Sequence, residues 1–347
     1  MKENNRIFYL DYLRYISCMA VILIHISCNY LMYDFKSVNF FVGNIVDSLS
    51  RFAVPIFVMI SGALLLDSNY NYTHEKNFKH IIKYILFFIF WSTIYSIYVN
   101  VYLTNGVVNT NKFINSIING HGHLWFIKMI CCLYLLVPLV RCLINKYGTK
   151  FVKHFLILSI FLISLLPLVM KFLTFFLPSA IYLSSIFEKI VGNYFCYLIY
   201  FLLGWYLIHN NLNKKIIYFL GILSVLFEII ASNILSMIAN TQFLFYKDLY
   251  FCVLLQSIFV FIAAKNYFSN KKASKYKEKI VNSVSKYSLG IYGVHVLYIS
   301  LSWNYLFKIG IIEAWKVIPM IFVFTFAASY FTSLILSKIK PLKRFFV

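Results

Sequence analysis

Two ionisable side chains in the first apolar stretch have a spacing that suits acid–base chemistry inside a membrane. Arg14 and His25 are eleven residues apart, and at 100° per residue a helix brings them to within about 20° of each other. Asp11 lies about 60° from Arg14 on the same face. The helical rise places His25 roughly 16 Å beyond Arg14. One polar face would therefore connect a charged group with an imidazole, a general base at neutral pH.

Both groups also have simpler interpretations. Asp11 and Arg14 can form an ion pair that anchors the helix end at the membrane interface. His25 can be a buried histidine bonded to a neighbouring hydroxyl or carbonyl group. Ionisable residues at membrane depth are costly, which makes them the first candidates for function, but the spacing alone leaves both alternatives open.

Other polar residues that could take part in catalysis lie within or beside the later apolar stretches. They are Arg51, then Ser61 before Gly62, then His123 and Trp125, and finally Tyr292 and His295. The alternatives are helix packing through small residues for Ser61, an aromatic interface belt for His123 and Trp125, and hydrogen-bonded packing for His295. The histidines near position 123 have no carboxylate neighbour in sequence, so no metal site is expected.

The composition excludes an ordinary soluble domain. Of the 347 residues, 61% are hydrophobic and 12% are charged, against about 45–50% and 25% in soluble proteins. Since a spanning helix needs about 20 mainly apolar residues, we predict an all-α polytopic membrane protein with about ten transmembrane helices. The predicted spans are 9–28, 44–66, 81–103, 124–143, 152–171, 190–209, 216–235, 248–268, 287–307 and 314–337.

The basic residues predict the orientation of these spans. The net charge is +21, which in a soluble chain would suggest nucleic acid. With the N-terminus inside, 22 of the 32 Lys and Arg residues fall in cytoplasmic segments and seven fall outside. This asymmetry predicts that both termini are cytoplasmic, with the basic loops beside anionic lipid, and no nucleic-acid partner is expected.

The chain reads as a single membrane domain over 1–347. Its first apolar stretch has no small-residue cleavage site, and no appended soluble domain is expected. The seven cysteines lack metal or CxxC spacing and are interpreted as apolar packing residues.

Four fragments, taken in order, resemble integral-membrane acyltransferase family 3, whose members acylate cell-surface glycans. They are Asp11–Arg14 with His25, Arg51–Gly62, His123–Phe126 and Ser288–His295. The first fragment is similar to the family's Asp-x-x-Arg and Arg-x10-His patterns. The second is similar to its Arg-x-x-Val-Pro-x-Phe-x-x-x-Ser-Gly pattern, and the fourth to its Ser-x-x-x-Tyr-x-x-His pattern. No motif was matched over about 150–280.

The resemblance implies a reaction and the residues that carry it out. It implies an O-acyltransferase, by default an O-acetyltransferase, that takes acyl-CoA (acetyl-CoA being the commonest donor) from the cytoplasm to a hydroxyl of a cell-surface polysaccharide or lipid-linked glycan. His25 and Arg14 take the catalytic roles by this resemblance. Asp11, Arg51, Ser61, Tyr292 and His295 are candidates to orient the donor or stabilise the oxyanion, and His123 and Trp125 are candidates on the acceptor side.

Two other functional classes fit a ten-span chain. One is a transporter or flippase of a glycan or small substrate, in which the intramembrane charges line the path, and the other is a membrane scaffold. The absence of detectable inverted repeats and the four fragments favour the enzyme. The expected location is a bacterial cell membrane; the acyl group, the acceptor and the oligomeric state stay open.

Overall fold

The described chain is built from α-helices. The computed structural model describes residues 7–68, 72–103, 110–177, 179–191, 193–270 and 273–346. Within these ranges 85% of residues are helical and none is in a strand. The α-helices are, in order, α1 Phe8–Ser27, α2 Val38–Ser50, α3 Ala53–Leu65, α4 His74–Ile97, α5 Thr110–Asn119, α6 Trp125–Ser159, α7 Leu166–Phe176, α8 Ala180–Val191, α9 Leu198–His209, α10 Lys214–Ala239, α11 Phe251–Asn270, α12 Lys275–Lys308 and α13 Ala314–Leu336.

Seven helical stretches in the described ranges are long and apolar enough to cross a bilayer. They are Phe8–Met32, Val38–Leu65, His74–Asn100, Asn111–Phe176, Lys214–Ala239, Phe251–Ser269 and Ala314–Leu336. Tyr194–His209 is a shorter apolar helix. The fold class predicted from the sequence, an all-α polytopic membrane protein, is confirmed. The number of ten spans and the side of each terminus stay predictions.

The longest apolar stretch is interrupted. Asn111–Phe176 has 66 residues, and at 1.5 Å per residue a bilayer core of about 30 Å uses only about 20 of them. Gly148 has a φ of 68° inside α6, a left-handed backbone conformation that favours glycine. This break separates the helical residues 125–147 from those that follow it up to 176, and each of these two parts is long enough for a crossing.

The second apolar stretch begins earlier than the sequence indicated. The Ser37 side chain caps α2 by accepting a hydrogen bond from the Phe40 backbone amide at 3.1 Å, so the helix starts before the predicted boundary at 44. α2 ends at Ser50 and α3 starts at Ala53. Arg51 therefore lies at a break near the middle of the stretch Val38–Leu65.

Two glycines let α3 and α9 pack backbone against backbone. A Cβ atom on Gly62 would lie 1.8 Å from the Phe201 carbonyl oxygen, and one on Gly204 would lie 1.9 Å from the Met59 carbonyl oxygen. Only a residue without a side chain fits either position, which is the usual role of small residues between membrane helices. This contact fixes α3 and so determines where its neighbour Ser61 lies.

Helix α1 lies at the centre of the described bundle. It contacts α2, α3, α11, α12 and α13, and Leu13, Ile22 and Ile26 on it are fully or almost fully buried. A helix surrounded in this way has no wide lipid-facing side. Its polar residues must therefore meet other protein groups or an internal cavity, because lipid offers them no hydrogen bonds.

Candidate active site

A cavity of about 320 Å³ contains both Arg14 and His25 in its wall. The volume is that of a small-molecule site. Its other lining side chains come from α1, α3, α4, α6 and α12 and the turn before α6: Val21, Val54, Phe57, Ile60, Ser61, Leu64, Leu65, His80, Lys83, Tyr84, His123, Trp125, Phe126, Ile130, Tyr134, Ser288, Leu289 and Tyr292. The two residues that share a face of α1 thus border one enclosed space.

An ion pair holds the arginine at one end of this cavity. The Arg14 guanidinium donates to the Asp11 carboxylate at 2.9 Å. The Ser285 hydroxyl of α12 donates to the same carboxylate oxygen at 2.6 Å. Asp11 itself is buried, while the Arg14 side chain keeps 29% of its surface accessible. Asp11 therefore positions Arg14, and the guanidinium remains available to the cavity.

Two further basic side chains line the cavity. Lys83 and His80 on α4 lie in its wall, as Arg14 does. His80 is exposed and Lys83 is half-buried. Cationic side chains in a cavity wall attract an anionic ligand such as a phosphate.

Three histidine rings meet at the other end of the cavity. The ring centroid of His25 lies 5.1 Å from that of His295 on α12 and 6.2 Å from that of His123. The His123 and His295 centroids are 5.5 Å apart. His25 is half-buried, whereas His123 and His295 are buried. The fold thus brings together three imidazole rings from residues that are up to 270 positions apart in sequence.

Hydrogen bonds to backbone carbonyls position the His295 ring and the turn that carries His123. The His295 Nδ1 atom lies 2.7 Å from the Tyr292 carbonyl oxygen, and because a carbonyl can only accept, Nδ1 carries the proton. The Tyr292 hydroxyl donates to the His123 carbonyl oxygen. Tyr95 on α4 donates to the Gly293 carbonyl at 2.9 Å. Tyr292 therefore joins α12 to the turn that carries His123.

A fourth histidine extends this group. The Nδ1 atoms of His121 and His123 are 2.9 Å apart, so one ring donates to the other. The Tyr95 ring stacks on His121 with centroids 4.6 Å apart. Even so, no set of three or more His, Cys, Asp or Glu side chains in the described residues has the geometry to hold a metal ion.

Arg51 belongs to a separate charged cluster and does not line the cavity. Its Nε atom donates to Asp47 at 2.8 Å, and its guanidinium lies 4.0 Å from Asp248 and 4.7 Å from the centre of the Tyr246 ring. The Ser27 hydroxyl, two residues from His25, donates to Asp47 at 3.1 Å. The cluster therefore braces the end of α1 that carries His25.

Asp248 is the site-proximal residue that sequence reasoning missed. It lies between α10 and α11, in the region where no motif was found. The Tyr197 hydroxyl donates to it at 3.1 Å. Its only signal in the sequence was that it is an acidic residue in a strongly apolar region. The carboxylate of Glu228 on α10 is buried and has no hydrogen-bond partner in the described structure.

The remaining candidates contribute to the cavity wall. Ser61 donates to the Phe57 carbonyl within its own helix at 3.1 Å. The Trp125 ring lies 5.5 Å from that of Tyr197. The structure thus brings His25, Arg14, Ser61, Tyr292, His123 and Trp125 to one cavity, with Asp11 and His295 directly behind it and Arg51 apart.

Fold and site together define an α-helical, multi-pass membrane protein with an internal cavity that has a guanidinium at one end and histidines at the other. A comparison with family models matches residues 7–337 to the acyltransferase domain of acyltransferase family 3. The chain belongs to this family and is an acyltransferase. Comparisons with curated proteins and with solved structures gave no match.

Proposed function

We propose that this protein is a membrane O-acyltransferase that uses cytoplasmic acyl-CoA to acylate a hydroxyl of a cell-surface polysaccharide or lipid-linked glycan precursor. The donor expected first is acetyl-CoA. The observation that carries this proposal is the shared cavity: Arg14 and His25 lie in its wall, roughly 16 Å apart along one helix. The bacterial cell membrane is the proposed location.

The basic side chains of the cavity suit the donor. CoA carries several phosphate charges, and Arg14, Lys83 and His80 all line the cavity. Arg14 is pre-oriented by Asp11, which reduces the entropy lost when it engages a ligand. We infer that the slender arm of CoA passes Arg14 and extends between the apolar walls toward His25.

The histidine end suits the chemical step. In one route His25 removes the proton of the acceptor hydroxyl, which attacks the thioester carbonyl and expels the CoA sulfur. In the other, His25 itself attacks the carbonyl and carries the acyl group before the hydroxyl receives it. Both routes need a neutral imidazole next to the carbonyl, and burial in an apolar wall favours the neutral form.

The acceptor side of the cavity has aromatic side chains that suit a sugar. Trp125 and His123 line the cavity, as His25 does, and an aromatic ring can pack against the apolar face of a sugar. Ser61 and Tyr292 add hydroxyl groups along the wall. Each donates its one proton to a backbone carbonyl and would have to release it before it could stabilise the developing oxyanion. Arg51 supports this region indirectly, through Asp47 and Ser27.

The deciding experiment compares purified protein with its His25→Ala variant. The assay follows release of CoA thiol from acetyl-CoA and other acyl-CoA donors, with and without surface glycan. We expect His25→Ala to lower transfer by at least about 100-fold. The matched control is His154→Ala, which changes an exposed histidine outside the cavity. Full transfer by well-folded His25→Ala protein would contradict the proposed mechanism.

Acyl-CoA turnover also separates the enzyme from a flippase. A transporter would move its substrate without consuming acyl-CoA, whether or not His25 is present. The NMR spectrum of the surface polysaccharide, compared with and without the gene, would then identify the acyl group and the hydroxyl that carries it.

A further inference from the structure

His295 is the buried polar residue whose arrangement the acyl-transfer route above leaves unexplained. It does not line the cavity, and none of its side-chain surface is exposed. Its Nε2 atom has no hydrogen-bond partner in the described structure. An unpaired polar atom in a buried place destabilises the folded protein, so its presence beside the cavity calls for a functional reason.

The tautomer of His295 is determined by its own helix. Because Nδ1 donates its proton to the Tyr292 carbonyl, the neutral ring has a free lone pair on Nε2. The ring is therefore ready to accept one proton. Once it has done so, the Nδ1–H bond to the carbonyl stabilises the resulting cation, since hydrogen bonds from charged donors are the stronger ones.

The nearest ionisable ring to His295 is His25. Their centroids are 5.1 Å apart, so a rotation of the His25 ring can bring facing nitrogens to hydrogen-bond distance, about 3 Å. His123 is farther from His25, at 6.2 Å. Its Nδ1 atom also faces another histidine nitrogen, which leaves its tautomer unfixed. His295 is thus the better placed proton acceptor.

We propose that His295 is the proton-carrying partner of His25, an inference that rests on the proposed acyltransferase function. One nitrogen of His25 takes the proton of the acceptor hydroxyl while its other nitrogen passes a proton to Nε2 of His295. The hydroxyl oxygen forms the new C–O bond, and the C–S bond of the thioester breaks. His295 then returns its proton through His25 to the sulfur, which leaves free CoA thiol and two neutral rings.

The relay has a clear physical advantage. A single histidine acting alone would become a cation in a mostly apolar cavity, where an isolated charge is strongly disfavoured. Passing the proton on moves the charge to a ring that already donates to a carbonyl. The reacting end of the cavity then contains only the charge that develops on the substrate.

The test uses His295→Asn in the full-length protein. An asparagine amide can replace Nδ1 as donor to the Tyr292 carbonyl, but it has no nitrogen that accepts a proton. We expect kcat to fall at least about 30-fold, while KM for acyl-CoA changes by less than twofold. The control is His154→Asn, since His154 Nδ1 also contacts a carbonyl of its own helix, that of Lys150, but on the exposed surface.

A second measurement separates proton transfer from a structural role. The single-turnover rate is measured as the deuterium fraction of the solvent increases. We expect a curved dependence in the native protein, because two protons move, and a linear one in His295→Asn. A linear dependence in the native protein, or near-normal kcat in folded His295→Asn, would overturn the relay. If His25→Ala still reduces transfer in that case, the role of His25 and the proposed function both remain. If the native protein itself transfers no acyl group from acyl-CoA, the proposed function fails as well.

Discussion

Arg14 and His25 occupy the same face of α1 and line the same cavity, although roughly 16 Å of helix separates them. Asp11, which also accepts a hydrogen bond from Ser285, holds Arg14. His25 meets the rings of His123 and His295. The helical rise of α1 thus sets the distance between Arg14, which can bind an anion, and His25, which can transfer a proton.

The geometry of the arginine can be tested with Arg14→Lys. Lysine keeps the positive charge but cannot present the planar fork with which arginine binds a carboxylate and a phosphate together. We expect KM for acyl-CoA to rise about tenfold, corresponding to about 1.4 kcal/mol of binding. Steady-state kinetics measure the change. If Arg14 only anchors the helix end, Arg14→Lys will behave like the native protein.

The Arg51 cluster predicts a stability difference between two similar variants. Asp47 is fully buried, bonded to Arg51 and to Ser27, so Asp47→Asn leaves the guanidinium without its closest partner. We expect a loss of about 3 kcal/mol of unfolding free energy. Asp248→Asn removes only a contact at 4.0 Å and should cost less. Thermal unfolding in detergent ranks the two, and the reverse order would contradict this description of the cluster.

The contact between α3 and α9 predicts that neither glycine tolerates a methyl group. Gly62→Ala would place Cβ 1.8 Å from a backbone carbonyl oxygen, so the helices must separate. We expect a destabilisation of about 3 kcal/mol, at the upper end of overpacking effects. Gly122→Ala is the control, because nothing lies within 4 Å of its added Cβ. Equal melting temperatures for the two variants would show that the helices do not pack this closely.

The orientation predicted from the charges can be tested by thiol labelling. Lys36 and Lys150 are both exposed, and the basic-residue asymmetry places Lys36 outside and Lys150 inside. In a background with the exposed Cys142 replaced by serine, Lys36→Cys should react with an impermeant maleimide in intact cells. Lys150→Cys should react only after permeabilisation. The opposite pattern would invert the topology.

The Tyr292 hydroxyl is expected to act by position. It donates to the His123 carbonyl and joins α12 to the turn before α6. Tyr292→Phe keeps the ring but removes this bond, at a cost of about 1 kcal/mol. We expect a several-fold loss of kcat with normal abundance in the membrane. A loss as large as that of His25→Ala would instead assign Tyr292 a direct role in the chemical step.

The sequence alone determined the class of the fold and the pairing on α1. So large an apolar excess, arranged in runs of about 20 residues, indicates helices that cross lipid, and residues eleven apart on a helix share a face. These statements depend on composition and local geometry, so they hold before any packing is known. The four fragments likewise indicated the family, because motif spacing is a property of the chain itself.

Tertiary structure decided which distant residues meet. His295 is 270 positions from His25, and only the packing of α1 against α12 brings their rings to 5.1 Å. Asp248 reaches Arg51 because the segment before α11 folds back on α2, and the break after Ser50 moves Arg51 to the middle of its stretch. Such contacts follow from how whole helices fill space together, a property that no single segment of sequence encodes.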